Sequence, residues 1–245
     1  MSTSFKQCGG ALAVAFACLA LPAQAAPIVN GGFEAGLTNW TVVDQTGSAG
    51  SFTLQSGTTS PVTLMDVPAP PEGSNAAMTD AEAGGSHVLY QDFMQASAVG
   101  SALLSFDLFI GNRANAFFVP NTLDWATPVL NQQARVDILR GGSDPFSLAA
   151  GDVLLNLFAT ALTDPLVSGY NHIEIDITGL LNANLNTALR LRFSEVDNVN
   201  LFQFGVDNVA LVTRAANEVP EPGTWMLVLA GLAAAAFGRR TPLRR

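Results

Sequence analysis

Strict alternation of hydrophobic and polar residues marks several short segments of the chain. Residues 172–177 (HIEIDI) alternate without a break, and residues 189–193, 135–138 and 104–108 repeat the pattern. Such alternation is typical of a β-strand with one apolar face and one polar face. Clusters of Gly, Asn, Pro and Asp separate these segments, as turn residues separate antiparallel strands.

These strands predict an all-β fold, in which two antiparallel sheets stack face to face as a sandwich. Residues 26–218 are long enough to form one such domain. Residues 152–162 fit either a strand or a short helix. Residues 47–85 concentrate Gly, Ser, Thr and Pro, and this composition predicts a long surface loop within the domain.

The last predicted strand changes its phase. Phe204 and Val206 lie on one face, whereas Val209 and Leu211 lie on the other. The switch at Asp207 predicts a β-bulge, because one extra residue exchanges the two faces of a strand. We expect the bulge to turn Asp207 toward the apolar side, where a buried carboxylate requires a partner.

The start of the chain has the three-part composition of a secretory signal peptide, residues 1–25. Lys6 precedes an apolar run over residues 11–21, which is too short to span a bilayer well. Ala23 and Ala25 place small residues where signal peptidase requires them, so we predict cleavage after Ala25. A retained membrane helix is the alternative.

The charge of the body is strongly negative. Residues 26–219 contain 19 acidic residues, six arginines and no lysine, which gives a net charge of −13. Such a surface repels phosphate backbones, so the sequence argues against nucleic-acid binding, while it is compatible with divalent cations. Both cysteines, Cys8 and Cys18, lie in the signal segment, so no disulfide is predicted in the mature protein.

The end of the chain, residues 219–245, combines a short motif, an apolar run and a basic terminus. Pro220 and Pro222 hold Glu221 in extended backbone, accessible to a processing enzyme. The apolar run over residues 225–237 is short for a membrane span, but a bilayer can thin around it. Four arginines follow and are expected to stay in the cytoplasm.

Pro220-Glu221-Pro222, the apolar segment and the terminal arginines together resemble the PEP-CTERM sorting signal of Gram-negative bacteria. The resemblance implies an exosortase-type membrane protease that recognises the motif and removes the tail. It also implies transient anchoring in the inner membrane through residues 225–237, followed by placement at the cell surface or in the extracellular matrix. A plain C-terminal membrane anchor is the alternative.

Two segments of the body resemble carbohydrate-binding modules of the galactose-binding-like jelly-roll type. They are residues 29–34 (VNGGFE), followed by Trp40, and residues 204–211 (FGVDNVAL). The resemblance implies that the first and last strands are neighbours and that acidic residues there hold a structural calcium. Glu34 and Asp207 are then the candidate ligands. The alternative is that Asp207 only accepts backbone N–H bonds at the bulge.

Motifs of catalysis are absent from the sequence: it has no HExxH zinc motif, nucleophile elbow, P-loop or dinucleotide fingerprint. His172 opens an alternating strand and His87 follows a glycine turn, so we interpret them as an ordinary strand residue and a surface residue. Carboxylate pairs of glycosidases are defined by their separation in space. The glutamates available for such a pair, or for solvated positions instead, are Glu34, Glu82, Glu174 and Glu195.

Two further features are candidate ligand sites. Trp125 lies in a polar loop that ends at a proline, and an exposed indole there is a candidate platform for a glycan. The alternative is an indole that packs within its own loop. Asp80 and Glu82 lie in a glycine-rich setting and are a second candidate pair for calcium, with a solvated loop as the alternative.

The sequence therefore predicts a non-catalytic, exported protein of the cell surface or extracellular matrix, with extracellular polysaccharide as its candidate ligand. Two alternatives stay open. One is a purely structural matrix or adhesion protein without glycan recognition, and the other is a secreted glycoside hydrolase. A structural calcium is the single cofactor considered.

Processing at both ends gives the first prediction. Protein isolated from the native host is expected to begin at Ala26 and to lack the residues that follow Pro220-Glu221-Pro222. Intact-mass measurement tests both expectations, and a product that retains residues 225–245 would contradict tail removal. Glu221→Ala is expected to leave the protein in the membrane fraction, because the processing enzyme then lacks its motif.

Overall fold

The structure, a computed structural model, describes residues 28–216, so the predicted signal peptide and sorting tail lie outside the described range. This part of the chain contains ten strands and one short helix. The helix, α1, is Thr178–Ala183 and lies between β8 and β9. The strands are β1 (Thr41–Asp44), β2 (Ser51–Ser56), β3 (Asn75–Asp80), β4 (Gly85–Met94), β5 (Val99–Asn112), β6 (Gln132–Arg140), β7 (Val153–Ala159), β8 (Asn171–Asp176), β9 (Ala188–Asp197) and β10 (Phe202–Ala215).

The strands form two five-stranded antiparallel sheets, and the two sheets stack as a sandwich. The first sheet has the order β1-β4-β9-β6-β7, and the second has the order β2-β3-β10-β5-β8. The chain passes repeatedly from one sheet to the other, as in a jelly roll. The predicted all-β sandwich is therefore confirmed. Within residues 28–216, no helix is both long and apolar enough to cross a membrane.

An aromatic-rich core fills the space between the sheets. The ring of Phe193 on β9 lies 5.6 Å from that of Phe106 on β5 and 5.9 Å from that of Trp40, measured between centroids. Alternate residues of a strand point to the same face. The alternating sequence of β9 therefore places Leu191 and Phe193 in the core and Arg192 on the outer face.

The pairing of β10 with β5 contains the predicted β-bulge, just after Asp207. Val206 and Val209, on either side of it, both belong to the core. The expectation that Asp207 turns toward this core is wrong. It pairs opposite Asp107 and contacts the loop that covers the outer face of the second sheet. The change of phase falls one residue later, at Asn208, whose backbone φ is +51°.

Residues 47–85 are not one long loop, as their composition predicted, because they contain the strands β2 and β3. The loop itself is residues 57–74. β3 is built largely from small residues and is buried on both faces, so it lacks the alternation that identifies a half-buried strand. Residues 152–162 contain β7, which decides between the strand and the helix considered for that segment.

The 57–74 loop is fastened to the outer face of the second sheet. Asp80 accepts hydrogen bonds from the backbone N–H groups of Val62 and Thr63, at 2.8 and 2.7 Å. Burial opposes the ionisation of Asp80, but the N–H of Thr63 and the side chains of Gln203, Ser60 and Thr63 outweigh it and lower the pKa of the carboxyl group. Beneath the loop lies a small apolar cluster of Val67, Met78 and Phe109.

A buried ion pair lies on the outer face of the first sheet. Arg192 on β9 and Asp137 on β6 are opposite each other and fully buried, and Arg192 Nη2 donates to Asp137 Oδ2 at 2.5 Å. Arg192 Nη1 donates to the carbonyl groups of Pro145 and Ser147, so the pair holds the β6–β7 loop over the sheet. Burial opposes the ionisation of Asp137, but Arg135 and Arg192 lower its pKa.

The sandwich has two distinct ends. The end at which Gly85 and Gln132 both pair with Asp197 is called the loop end. β10 begins near it and runs to the opposite end, where Ala215 pairs with Val99. We call this opposite end the tail end, because it holds the last residues described before the predicted tail.

The buried ion pair gives the second prediction. Asp137→Ala is expected to lower the free energy of unfolding by about 3–5 kcal/mol, because Arg192 is left buried without its counter-charge. The matched control is Asp92→Ala. Asp92 pairs with Arg190 on the same face, but its side chain is 45% exposed. The expected loss there is about 1 kcal/mol or less. Urea unfolding followed by circular dichroism measures both, and equal losses would contradict the role assigned to the buried pair.

Candidate functional site

Three loops meet at the loop end and enclose a cleft of about 390 Å³. They are the β3–β4, β5–β6 and β9–β10 loops. Val129 and Leu130 are 49% and 53% exposed, so the cleft offers apolar surface to the solvent beside hydrogen-bonding groups. We call it the Trp125 cleft. Its walls include Gly84, Trp125, Pro128, Val129, Leu130 and Asn198.

A second cleft, of about 220 Å³, adjoins the first. Gly84 and Asn198 line both clefts and form the wall between them. Glu82 supplies the one carboxylate in the lining of the second cleft, and no carboxylate lines the Trp125 cleft. We call the second the Glu82 cleft.

Asn198 fastens the loops of this end to one another. Its Nδ2 donates to the carbonyl groups of Trp125 and Val129, at 3.1 and 2.9 Å. Its Oδ1 accepts the N–H of Asn131 at 2.7 Å. One side chain thus holds three points of the β5–β6 loop and fixes the shape of the Trp125 cleft.

Trp125 is less exposed than the sequence predicted. Its indole is half-buried, and a Cβ built on Gly47 would lie 3.3 Å from Trp125 Cζ2. Its backbone N–H donates to Gln45 Oε1 at 3.1 Å. The indole Nε1–H is buried and has no acceptor among residues 28–216, although buried N–H groups normally find one. The indole thus combines loop packing with an unused donor.

A larger cleft, of about 520 Å³, lies beside the edge strands β7 and β8. Its lining is mainly apolar and includes the rings of Phe117 and Phe158. Asp164 is its one carboxylate, and Asp164 Oδ2 already accepts the N–H of Ala161 at 2.8 Å. The sequence did not indicate this cleft, because its lining comes from segments far apart along the chain.

Glu34 and Asp207, the predicted calcium ligands, hold neighbouring parts of one backbone segment. Glu34 Oε1 accepts the N–H groups of Ser74 and Asn75, both at 2.8 Å. Asp207 Oδ2 accepts the N–H of Glu72 at 3.1 Å. The two carboxylates therefore fasten the end of the 57–74 loop, whether or not a cation joins them.

Glu34 lies in a turn and not in a strand, contrary to what the jelly-roll resemblance implied. The implied neighbourhood of the first and last strands is wrong as well, because β1 and β10 belong to different sheets. The segment that lies beside β10 is the turn before β1. The N–H of Val209 on β10 donates to the carbonyl of Gly31 at 3.0 Å. A Cβ at Gly31 would lie 1.8 Å from that strand's backbone, at Val209 O, so this close approach requires glycine.

The carboxyl group of Asp207 has a perturbed pKa. Burial raises its pKa to about 7, and the nearby carboxylates Glu72 and Asp107 contribute to the increase. The N–H groups of Glu72 and Asn208 oppose it. Among the described residues, no group of three or more metal-binding side chains comes together. A cation at Asp207 would therefore draw further oxygen ligands from the backbone.

The remaining candidate carboxylates are separated by the fold. Glu174 is exposed on β8 and Glu82 is exposed in the β3–β4 loop. Glu195 is buried on β9, and Asp80 is used as the fastening of the 57–74 loop. Asp80 is thus buried and accepts several hydrogen bonds, whereas Glu82 faces the solvent.

The two histidines also differ. The side chain of His172 is 54% exposed, and its Nδ1 lies 2.7 Å from Asp107 Oδ1, in agreement with an ordinary strand residue. The interpretation of His87 as a surface residue is wrong. His87 is 1% exposed, and its Nδ1 lies 2.7 Å from Asp44 Oδ1. Gly85 is already the first residue of β4, so His87 falls within the strand.

The tail identifies the sorting class of the chain. Residues 218–245 match the family model of the PEP-CTERM protein-sorting motif, and the predicted Pro220, Glu221 and Pro222 lie within the match. The chain carries a PEP-CTERM sorting motif. This motif indicates export and placement at the surface or in the matrix. It covers the tail alone and leaves the role of the sandwich open.

Several solved structures resemble the part of the chain that precedes the PEP-CTERM motif. TmCBM61, in complex with β-1,4-galactotriose, is 13% identical with a TM-score of 0.46, over 78% of this chain and 100% of that one. A family 16 carbohydrate-binding module is 15% identical with a TM-score of 0.42, over 76% and 99%. The Stig cyclase Fisc from Fischerella sp. TAU is 19% identical with a TM-score of 0.44, over 78% and 98%. A comparison with curated proteins gave no match.

The described part of the chain ends on the side of the sandwich opposite the two loop-end clefts. Its last residue, Ala216, follows β10 at the tail end. The Trp125 and Glu82 clefts lie at the loop end.

Proposed function

We propose that the chain is a non-catalytic, exported protein of the cell surface or matrix and that its Trp125 cleft binds extracellular polysaccharide. The observation that carries the proposal is the cleft itself: a half-buried indole, exposed aliphatic side chains and a carboxamide at the solvent-facing end of a rigid sandwich. Ligand sites generally combine apolar walls with a few placed polar groups. Exosortase-type processing of the tail is the partner reaction that the sorting motif implies.

The chemistry of the cleft suits a neutral sugar chain. Pyranose rings present CH groups that pack on an indole face and on exposed aliphatic side chains such as Val129 and Leu130. The Trp125 cleft is open at one side and is bordered by the Glu82 cleft, so a chain of several sugar units can lie across both. The strong negative charge of the body argues against an acidic polysaccharide as the ligand.

The arrangement of carboxylates supports binding without hydrolysis. Glycosidases place two carboxyl groups about 5–9.5 Å apart on either side of the scissile bond. Among the residues that line the two loop-end clefts, Glu82 is the one carboxylate. Glu195 is buried between the sheets, and Glu34 is held by the backbone of Ser74 and Asn75.

A purely structural matrix or adhesion role is the second candidate. It is favoured by Asn198, whose carboxamide is used for bonds between loops and so contributes shape more than free hydrogen-bonding capacity. In that case the half-buried Trp125 packs its loop, and the exposed Val129 and Leu130 are an adhesive surface.

We also propose a structural calcium beside Asp207 and Glu34. Both carboxylates fasten the end of the 57–74 loop, and Asp207 faces two further carboxylates, Glu72 and Asp107, that oppose its ionisation. Calcium accepts irregular sets of oxygen ligands at about 2.3–2.6 Å, so carboxylates and loop carbonyls suit it. Without a cation, Asp207 acts as a backbone fastening alone.

The glycan proposal gives the third prediction. A soluble fragment of residues 26–219 is expected to bind a neutral polysaccharide on a glycan array, run with calcium and with chelator. Trp125→Ala is expected to weaken binding about tenfold to a hundredfold, because truncation of a central aromatic anchor costs about 2 kcal/mol or more. Isothermal titration measures the loss.

The matched control for this test is Tyr90→Ala. Tyr90 is a half-buried aromatic residue on the outer face of the first sheet, with the Arg190 guanidinium 3.7 Å from its ring centroid. It is expected to leave the affinity unchanged. Loss of binding in Tyr90→Ala but not in Trp125→Ala would move the site to the sheet face. No binding to any glycan would favour the structural role, and turnover would favour a hydrolase.

The calcium proposal gives the fourth prediction. At pH 8, EGTA is expected to lower the melting temperature and calcium to restore it. The stabilisation is about 2.7 kcal/mol at a hundredfold excess over the dissociation constant. Because the folded pKa of Asp207 is raised to about 7, its contribution to stability is complete below its unfolded value and is lost as the pH rises through 7. Calcium binds the ionised form, so its effect should grow over the same interval.

Asp207→Asn is expected to abolish the calcium effect. Asp66→Asn, an exposed acid in the same loop, is the control and should keep it. If the chelator changes nothing while Asp207→Asn still destabilises the protein, Asp207 is a backbone fastening and the calcium proposal is wrong.

A further inference from the structure

A row of acidic and imidazole side chains crosses three neighbouring strands at the loop end, and its members on β4 and β9 are buried whereas Asp44 on β1 is exposed. Asp44 on β1 pairs with His87 on β4, which in turn pairs with Glu195 on β9. Asp197 follows two residues after Glu195 and therefore lies on the same face of β9. His87, Glu195 and Asp197 are 1%, 1% and 3% exposed. The sandwich thus encloses three titratable groups at the end that holds the clefts.

Two polar atoms of this row have no hydrogen-bond partner among the described residues. His87 Nδ1 is bonded to Asp44, but His87 Nε2 and Glu195 Oε1 are buried without a hydrogen-bond partner among residues 28–216. Buried polar atoms are nearly always paired, because an unpaired one loses its bonds to water without replacement. Two unpaired atoms on neighbouring strands therefore mark a place where the packing is sensitive to the presence of a proton.

Asp197 connects this row to the clefts. Its Oδ1 accepts the N–H of Gly85 at 2.7 Å, and Gly85 adjoins Gly84 in the chain. Asp197 itself adjoins Asn198. Gly84 and Asn198 are the two residues that line both clefts. A single buried carboxylate thus fixes both sides of the wall between the Trp125 cleft and the Glu82 cleft.

We propose that Asp197, with Glu195 and His87, is a proton-controlled latch that holds the wall of the two clefts and so regulates ligand binding there. The regulatory part of this inference rests on the proposed function of the Trp125 cleft. With a proton on Asp197, the buried carboxyl is neutral and the wall stays closed. Without the proton, the Gly85 N–H bond to the carboxylate is stronger, but the cost of the buried charge exceeds that gain and favours an opening that lets water reach the carboxylate.

The electrostatics agree with this direction. Burial raises the pKa of Asp197 to about 7, against the opposing effects of the Gly85 N–H bond and of His87. Burial, together with the neighbouring Asp197, raises the pKa of Glu195 well above its usual value. Thr79 on β3 faces Glu195 with a hydroxyl group, and Ala134 and Gln132 on β6 face the pair without charge. Among the described residues, the titratable groups of the latch are therefore Asp44, His87, Glu195 and Asp197.

The sign follows from linkage. A carboxyl group whose pKa is higher in the closed state than in the open state binds more protons when closed. The closed wall is therefore the more stable state at low pH, and this stabilisation is lost as the pH rises through about 7. Between about pH 4 and pH 7 the opening equilibrium should increase by up to about tenfold per pH unit, and above pH 7 it should level off.

Hydrogen exchange gives the fifth prediction. Protection factors of the amides of Gly85 and Ser86, measured by mass spectrometry on the exported protein, are expected to fall as the pH rises from 5 to 7. Amides in the centre of β5 and β10 should keep theirs. Asp197→Asn retains an acceptor for Gly85 but does not titrate, so this variant should show no such pH dependence.

The matched control is Asp144→Asn. Asp144 also accepts a backbone N–H, from Phe146 at 2.9 Å, but it is exposed and lies in the β6–β7 loop. It should behave as the wild type does. A wild-type protein whose protection at Gly85 is independent of pH would overturn the latch without any variant, so a poorly folding Asp197→Asn does not weaken the test.

Binding separates the latch from the proposed function. A polysaccharide found on the array should bind wild type at least several-fold more tightly at pH 5.5 than at pH 8, and Asp197→Asn should remove that difference. Equal affinity at both values would overturn regulation by the latch. If no polysaccharide binds at either pH, the proposed function fails, whereas the exchange experiment still decides on the latch itself.

Discussion

The pairing of β5 with β10 is the interaction on which the rest of the structure depends. Each strand is 14 residues long, and together they run from the loop end to the tail end. Their inner side chains supply much of the core, and their outer faces support the 57–74 loop. A shift by one residue would exchange these two faces. The bulge after Asp207 makes such an exchange within β10, and it keeps Val206 and Val209 in one core.

Burial raises the pKa of three acids, Glu195, Asp197 and Asp207, and among the described residues no arginine lies beside them to offset it. Residues 26–219 contain six arginines and no lysine against 19 acids. Where an arginine is available, as at Asp137, the pKa of the buried carboxyl is lowered. Asp197 and Asp207 are held by N–H groups instead, and the pKa of each is about 7. The acidic composition of the body thus makes its interior sensitive to pH.

Periodicity predicted the fold well because most strands have one face in the core and one in water. It correctly placed β5, β6, β8 and β9, and the phase slip in β10 located the bulge. It failed at β3, which is buried on both faces, and at His87, which follows glycines without any intervening turn.

The loop-end site was less predictable from the sequence, because it depends on contacts between distant loops. Trp125 was selected on composition, but its contact with Gly47 and the fastening by Asn198 arise only when three loops meet. Asp197 carried a weak signal. It continues the phase of Leu191 and Phe193 and so is an acid at a core position of β9. An acid at such a position is a reason to look for a partner or a titration.

The location of each carboxyl group with a raised pKa decides whether a proton or a metal ion can neutralise it. Asp207 is itself buried, but it lies under the end of a surface loop beside the exposed Glu34 and Glu72, where we propose a calcium ion. Asp197 lies between the sheets, next to Glu195 and His87. Among the described residues no arginine lies beside it, so a proton is what neutralises its charge. Both groups weaken the fold as the pH rises. A calcium ion at the proposed site would offset this loss at Asp207 and not at Asp197. With calcium bound there, the remaining response to pH would be concentrated at the loop end, which is also the end that carries the clefts.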